Sequence, residues 1–242
     1  MRVSATDNPL IRSLAALHDA AGRRAAGAFL VEGRRAIDGF LTAGWTPRHL
    51  LVREGLETPA GWPEVVATGE RALARASAAT TPSGYLAVFA LPPPASPDAA
   101  AGGLLLAGVG DPGNLGTLIR TAAAFALPQV VCAGGADPYG PKAVQASAGA
   151  LAAVRVLRSD DPAELAGGAP LCALVPRGGM APAELPRTAR WLVVGGEADG
   201  IPPAWLERCG ERLTLPMPGA AVESLNAAVA GAVAMYACFV RS

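Results

Sequence analysis

"LLLAGVGDPGNLGTLIRTAAAF", residues 104–125, holds the pattern Gly-x-Gly-x-x-Gly at Gly108, Gly110 and Gly113. An apolar run precedes it and a helical pattern follows, the setting of a dinucleotide-phosphate loop at a strand-to-helix turn. Three features oppose that reading. Pro112 lies inside the loop and has no N–H to give a phosphate. The next strand, "QVVCAGGAD" at 129–137, offers only Asp137 as a ribose-binding acid, beyond two glycines and later than the spacing requires. In a chain with 29 glycines the pattern also arises by chance. Gly113, Gly116 and Arg120 instead fall on one helix face. Arg120 leans toward the helix N-terminus, over two positions without side chains. Asn114 sits where an N-cap is expected. A bare shelf under a guanidinium suits a ribose-phosphate held in bidentate fashion. It suits equally a close helix contact with Arg120 in a salt bridge, and this stretch alone leaves both open.

Around the loop, continuous apolar runs alternate with helical patterns. "GLLLAGV" (103–109), "QVVCAG" (129–134), "LCALVP" (171–176) and "WLVVGG" (191–196) predict strands of a parallel sheet buried on both faces. Helices are expected over 114–127, 141–152 and about 223–240, with a further strand in "RLTLPM" (212–217). The proline-rich "LPPPASPDAAAGG" (91–103) marks a boundary. It predicts a domain over 1–94, a linker over 95–103 and a larger domain over 104–242. In the first domain, "NPLIRSLAALHDAAGRRAAGA" (8–28) predicts a helix, "FLVEG" (29–33) a strand, "RRAIDGFLTAG" (34–44) a helix, and "HLLVRE" (49–54) and "YLAVFAL" (85–91) further strands. That order suggests a small α/β unit. No internal repeat is visible.

Of the 242 residues, 51% are hydrophobic and 17% charged, a composition that builds a core and excludes a disordered chain. Net charge is zero but unevenly spread: residues 1–53 hold eight arginines against four acids. A basic N-terminal part points to a polyanion partner, though such arginines also suit a solvated face. Cys132, Cys172, Cys209 and Cys238 show no C-x-x-C spacing, and the two histidines, His18 and His49, complete no metal pattern. The cysteines read as buried apolar residues in a reducing compartment, and no metal is expected. The opening "MRVSATDNPLIRSLAAL" lacks the apolar core of an export signal, and no apolar run suffices to span a membrane. The expectation is a cytoplasmic protein with no membrane partner.

Two further stretches carry polar residues at strand ends, where α/β sheets bind ligands. "LVVGGEADG" (192–200) runs a strand into a glycine turn bearing Glu197. "LPMPGAAVESLNAAVAGAVAMYACF" (215–239) leads from a Pro-Gly turn into "ESLN", with Ser224 or Glu223 as N-cap candidate and Asn226 on the first turn of an alanine-rich helix.

In this order, the three stretches closely resemble the three signature motifs of the SpoU (TrmH-like) family of SPOUT RNA 2′-O-ribose methyltransferases. "DPGNLGTLIRTAAAFAL" carries N-x-G-x-x-x-R-x-A as in the first motif, "LVVGGEADGIP" resembles the second, and "LPMPGAAVESLNAAVA" the third. "DPYGPKAVQASAGAL" (137–151) matches the family's segment between the first two motifs, and "NPLIRSLAAL…FLVEGRRAIDGFL" with "TPSGYLAVF" resembles its RNA-binding domain. The resemblance covers nearly the whole chain.

It implies an α/β fold: a C-terminal SPOUT sheet with a deep trefoil knot, plus a small N-terminal L30e-like RNA-binding domain. It implies transfer of the methyl group of S-adenosylmethionine to a ribose 2′-hydroxyl of RNA, 23S rRNA before tRNA, without a metal. Arg120, Asn114, Glu197, Ser224 and Asn226 match the catalytic motif positions. Gly195, Gly196, Glu197, Gly200, Leu215, Met217 and Leu225 match the donor-binding ones. Arg12, Arg23, Arg24, Arg34, Arg35 and Arg120 would contact RNA, and a homodimer would form through the SPOUT domain and its last helix. Ala198 departs from the family pattern, where glycine is frequent. The family assigns proton acceptance to Arg120, which is awkward for a guanidinium of pKa above about 12. Arg120 would either take the proton transiently or hold phosphate while water or Glu197 takes it. Two other readings stand beside this one: a non-catalytic RNA-binding or ribosome-assembly protein of the same fold, and methylation of a base nitrogen.

Overall fold

The computed structural model describes residues 1–186, 188, 190–219 and 224–240. The chain forms two compact units, Met1–Pro93 with Tyr139–Ala153, and Pro94–Pro138 with Val154–Ser242. The segment that follows the Gly-rich motif and its strand therefore joins the first unit before the chain returns to the second.

The first unit is a five-stranded mixed sheet of β1 (Arg2–Val3), β2 (Ala28–Glu32), β3 (Pro47–Arg53), β4 (Val66–Thr68) and β5 (Tyr85–Ala90), in the order β1-β4-β3-β5-β2. Side-chain alternation gives it two cores. Leu30, Leu86 and Val88 pack with Ile11 and Leu14 of α1 (Pro9–Ala15) and Leu73 of α4 (Glu70–Ala76). Phe29 and Phe89 face the other way, into an aromatic group with Phe40 of α3 (Arg34–Thr42), Trp45 and Tyr139. The helix expected over 8–28 is broken. After α1 come a 3₁₀ turn, Ala16–His18, and α2, Ala20–Ala26. Asp19 stops the first run because its carboxylate takes the Gly22 amide at 2.7 Å and caps a new helix.

The second unit is a six-stranded, wholly parallel sheet: β6 (Gly103–Ala107), β7 (Gln129–Ala133), β8 (Arg155–Arg158), β9 (Leu171–Leu174), β10 (Trp191–Gly195) and β11 (Glu211–Leu213). Its order is β11-β9-β10-β6-β7-β8. Every residue of β6 and β7 is buried, as their unbroken apolar runs require. Trp191, Val193, Leu105, Val131 and Trp205 of α7 (Pro203–Leu206) fill one face. On the other, α5 (Pro112–Ala124) lies against α8 (Ala227–Met235), which continues as a π-helical turn to Val240. A Cβ on Gly231 of α8 would stand 2.4 Å from Leu118 Cδ2, so any larger residue there would have to push the Leu118 side chain aside. Between β7 and β8, α6 (Pro141–Ser147) ends at Ala148, whose φ of +50° breaks the helix expected to run to 152.

Residues before β6 are bound to this unit. Gln129 accepts the Asp98 amide and donates to the Asp98 and Gly102 carbonyls, while Trp191 Nε1 donates to the Ala99 carbonyl. The chain turns from β6 toward β7 and β8 on one side and later returns to β9 and β10 on the other. The crevice between the carboxyl ends of β6 and β10 is thus a topological switch point, the place where open α/β sheets bind ligands.

Candidate functional site

Three strand ends and the head of one helix converge on one cleft of about 710 Å³. Its walls are Leu174–Pro176 after β9, Val194–Ile201 through the end of β10, Leu215 and Met217 beyond β11, and Ser224–Ala227 at the start of α8. All seven positions matched to donor binding (Gly195, Gly196, Glu197, Gly200, Leu215, Met217 and Leu225) line it, as do Ser224 and Asn226. The glycines are there for space. A Cβ on Gly195 would fall 2.3 Å from the Gly200 carbonyl carbon, and one on Gly196 would fall 2.4 Å from the Gly108 carbonyl oxygen. Gly196 and Gly200 exchange both backbone hydrogen bonds, at 3.0 and 3.1 Å, and Gly200 takes the left-handed φ of +68° that closes the turn. Ala198 has no such φ, so the departure from glycine there carries no strain.

The Gly-x-Gly-x-x-Gly loop closes onto this turn. Gly110 N–H donates to Glu197 Oε2 at 3.2 Å, and Asn114 Nδ2 donates to Glu197 Oε1 at 2.6 Å. Asn226 Nδ2 donates in turn to Asn114 Oδ1 at 3.2 Å, while its own Oδ1 accepts the Ala228 and Val229 amides. A chain of hydrogen bonds therefore runs from the first turn of α8 through α5 to the β10 turn and ties the three motifs together. The loop amide that a nucleotide phosphate would need is already used by a carboxylate.

Partial burial works to raise the pKa of Glu197. The Asn114 amide, its own backbone N–H and those of Gly110 and Asp111 outweigh it and hold the group below the usual carboxylate value. Both its oxygens accept hydrogen bonds, which leaves Glu197 an anion and a weak base.

Two caps differ from expectation. Asp111, not Asn114, caps α5, accepting the Asn114 amide at 2.7 Å with Pro112 in the first helical position. Asn226, not Ser224, caps α8, and Glu223 lies outside the described residues. Pro112 at the head of α5 was the signal that Asp111 is the cap. Asn114 is thereby freed to bond Asn226, which caps α8 through Oδ1 and donates to Asn114 through Nδ2.

Arg120 is exposed on α5 and pairs with no carboxylate among the described residues, so the salt-bridge reading finds no partner there. Gly116 is buried with Leu115, Leu118, Ile119 and Ala122, which narrows the expected shelf to Gly113. Among the N-terminal arginines, Arg12, Arg24, Arg34 and Arg35 are exposed, Arg34 lying 3.8 Å from Asp38. Arg23 is a correction. It is buried, and its guanidinium donates to the Leu17 and His18 carbonyls at 3.0 Å, holding the corner between α1 and α2. Cys132 and Cys172 are buried and their thiols pushed up to about 12, chiefly by desolvation. No group of three or more His, Cys, Asp or Glu suited to a metal occurs among the described residues, and no described helix is long and apolar enough to cross a membrane.

Comparison with known proteins agrees with this geometry. Residues 103–236 match the SpoU rRNA Methylase family, and residues 8–87 match the MRM3-like substrate binding domain. The chain is 30% identical to the 23S rRNA (guanosine(2553)-2′-O)-methyltransferase RlmP of Bacillus subtilis, over 97% of this chain and 98% of that one. It superposes on the SpoU methyltransferase AviRb of Streptomyces viridochromogenes in complex with AdoMet with a TM-score of 0.85 and 27% identity, covering 96% and 97% of the two chains. On an RNA 2′-O ribose methyltransferase the TM-score is 0.81 at 30% identity, with 98% of each chain covered. With more than half its length inside the family model and a full-length relative beside it, the chain belongs to the SpoU rRNA methylase family.

Proposed function

We propose that this protein transfers the methyl group of S-adenosylmethionine to a ribose 2′-hydroxyl of ribosomal RNA. The observation that carries the reading is the cleft of about 710 Å³ beyond the carboxyl ends of β9, β10 and β11, bordered by the Asn226–Asn114–Glu197 chain. Its size suits a small molecule, and its apolar walls with glycine backbone suit an adenosine and a thioether. The relatives of known activity named above act on ribose 2′-oxygens, which favours ribose over a base nitrogen. An intact hydrogen-bonded motif set favours an enzyme over a non-catalytic RNA-binding or ribosome-assembly protein.

Bound in the cleft, the donor supplies an electrophilic methyl group on a sulfonium. The chain aligns the attacking hydroxyl, a contribution of about 7–11 kcal/mol in well-oriented reactions. We assign to Arg120 the RNA phosphate, in bidentate grip. The hydroxyl oxygen bonds to the methyl carbon as the carbon–sulfur bond breaks and its electron pair stays on sulfur. The hydroxyl proton leaves to water, since a guanidinium that grips phosphate is already fully protonated. Glu197 does not accept it, since its pKa is depressed and both oxygens are engaged.

In the same proposal the first unit, Met1–Pro93 with Tyr139–Ala153, presents the RNA, and the second carries the chemistry; residues 95–103, expected as a linker, belong to the second unit, where Gly103 opens β6. The wholly parallel second sheet supports a SPOUT domain with a deep trefoil knot, and the mixed α/β first unit supports an L30e-like domain. Val229, Val233, Tyr236 and Val240 make an exposed apolar stripe at helical spacing along α8 and its continuation, which supports a homodimer formed through this helix in the cytoplasm. The test is a ribose-methylation map of total RNA with and without the gene, beside methyl transfer by the purified chain to the RNA so identified. Loss of one 2′-O-methyl site in the deletion is expected. An unchanged map with no transfer in vitro would refute the assignment.

A further inference from the structure

The described lining of the cleft carries charge of one sign. Among its described lining residues the charged groups are Glu197 and Asp199, and none is Lys, Arg or His. The two carboxylates are not equivalent. Glu197 is committed to Asn114 and Gly110. Asp199, exposed at the apex of the Gly196–Gly200 turn, makes no hydrogen bond or ion pair with any described residue. Arg177 follows the lining residue Pro176 but does not itself line the cleft. Methyl transfer changes the charge of what the cleft holds: the sulfonium donor is net cationic, and the thioether left behind is net neutral. A free carboxylate at the rim, with no cation among the described lining residues, therefore interacts with the two differently.

We propose that Asp199 is a specificity residue that favours the cationic methyl donor over its neutral thioether product and so promotes exchange of one for the other after each transfer. The inference rests on the donor reading given above. The carboxylate is solvent-exposed, so its effect is that of a screened surface charge, about threefold in affinity. It weakens as salt shortens the screening length from about 10 Å at 0.1 M to about 3 Å at 1 M.

Calorimetric titration of the full chain with three ligands tests this: S-adenosylmethionine, S-adenosylhomocysteine, and sinefungin, in which an amine-bearing carbon replaces the sulfonium. For Asp199→Asn, affinity for both cationic ligands is expected to fall about threefold while that for the neutral one holds. Asp199→Glu is expected to restore the wild-type ratios, and high salt to bring wild type toward the Asn variant. A substitution that moves all three affinities together, or none, overturns the inference and leaves the donor reading standing. Wild-type protein that binds none of the three overturns the donor reading, and the inference with it.

Discussion

Asn114 donates its side-chain amide to Glu197 across 2.6 Å, although 83 residues separate them in sequence. The same side chain accepts from Asn226, so one amide is bonded at both ends and joins α5, the β10 turn and the head of α8. We expect Asn114→Ala to free the Glu197 carboxylate and raise its pKa toward the ordinary value of about 4.3. The sign follows from linkage: a carboxylate with a depressed folded pKa stabilises the fold fully above its unfolded pKa, and that stabilisation disappears as pH falls through the folded value. Wild type should therefore lose more stability than the variant between neutral pH and about pH 3. Carboxyl-carbon NMR of Glu197 and denaturant unfolding at both pH values measure it; equal losses would show that the bond does not set the titration.

Gly196→Ala should injure the cleft through its backbone. The added Cβ would lie 2.4 Å from the Gly108 carbonyl oxygen, and neither partner is a side chain that can swing away. A stability loss of about 1–3 kcal/mol is expected, with donor affinity reduced about tenfold or more as the turn shifts. Unfolding curves and calorimetry on the same sample separate the two effects.

Arg120→Ala is expected to abolish methyl transfer with fold and donor binding nearly unchanged, because the side chain is exposed and its loss opens no cavity. Arg120→Lys keeps the charge and loses the planar fork. Substantial activity in the lysine variant would show that a point charge suffices; none would show that bidentate geometry or proton acceptance is needed. Single-turnover methylation with RNA and donor saturating is the measurement, and near-normal turnover by the alanine variant would refute the role.

Neighbouring arginines should behave oppositely. Arg23→Ala leaves the Leu17 and His18 carbonyls without their donor, an expected cost of about 1–3 kcal/mol. Arg24→Ala, on an exposed side chain, should leave stability within about 0.5 kcal/mol and reduce the salt dependence of RNA affinity by about one phosphate contact. Thermal unfolding and filter binding across a salt series test both.

Val233→Glu places a charge in the exposed stripe of α8, where Val233 is 47% exposed and Tyr236 53%. Sedimentation of wild type as a dimer and of the variant as a monomer is expected, with the monomer folded. A monomeric wild type would remove the dimer from the proposal.

The parallel sheet was legible because β6, β7 and β10 are buried on both faces and so read as unbroken apolar runs. Among the elements passed over, β4 is three residues, β8 carries an exposed arginine at each end of two buried residues, and α7 spans one turn. Resemblance to a family placed Glu197, Asn114 and Asn226 in one site, but residue chemistry alone could not have shown that they bond to one another. Capping misled in both cases because "DPGN" and "ESLN" each offer two competent caps, and tertiary contacts decide which side chain is free. Arg23 and Arg24 are indistinguishable in sequence, and the turn set by Asp19 sends one inward.

The bonds that close the cleft span 83, 87 and 112 residues, between Asn114 and Glu197, Gly110 and Glu197, and Asn226 and Asn114. Contacts of such sequence separation form late, because the closure entropy of long loops is lost before any contact compensates it. During synthesis the two sheets can assemble while the cleft still lacks a wall, since Ser224–Ala227 must first leave the ribosome. A growing chain therefore has no finished cleft, and the proposed chemistry must wait on the order in which the polypeptide is made.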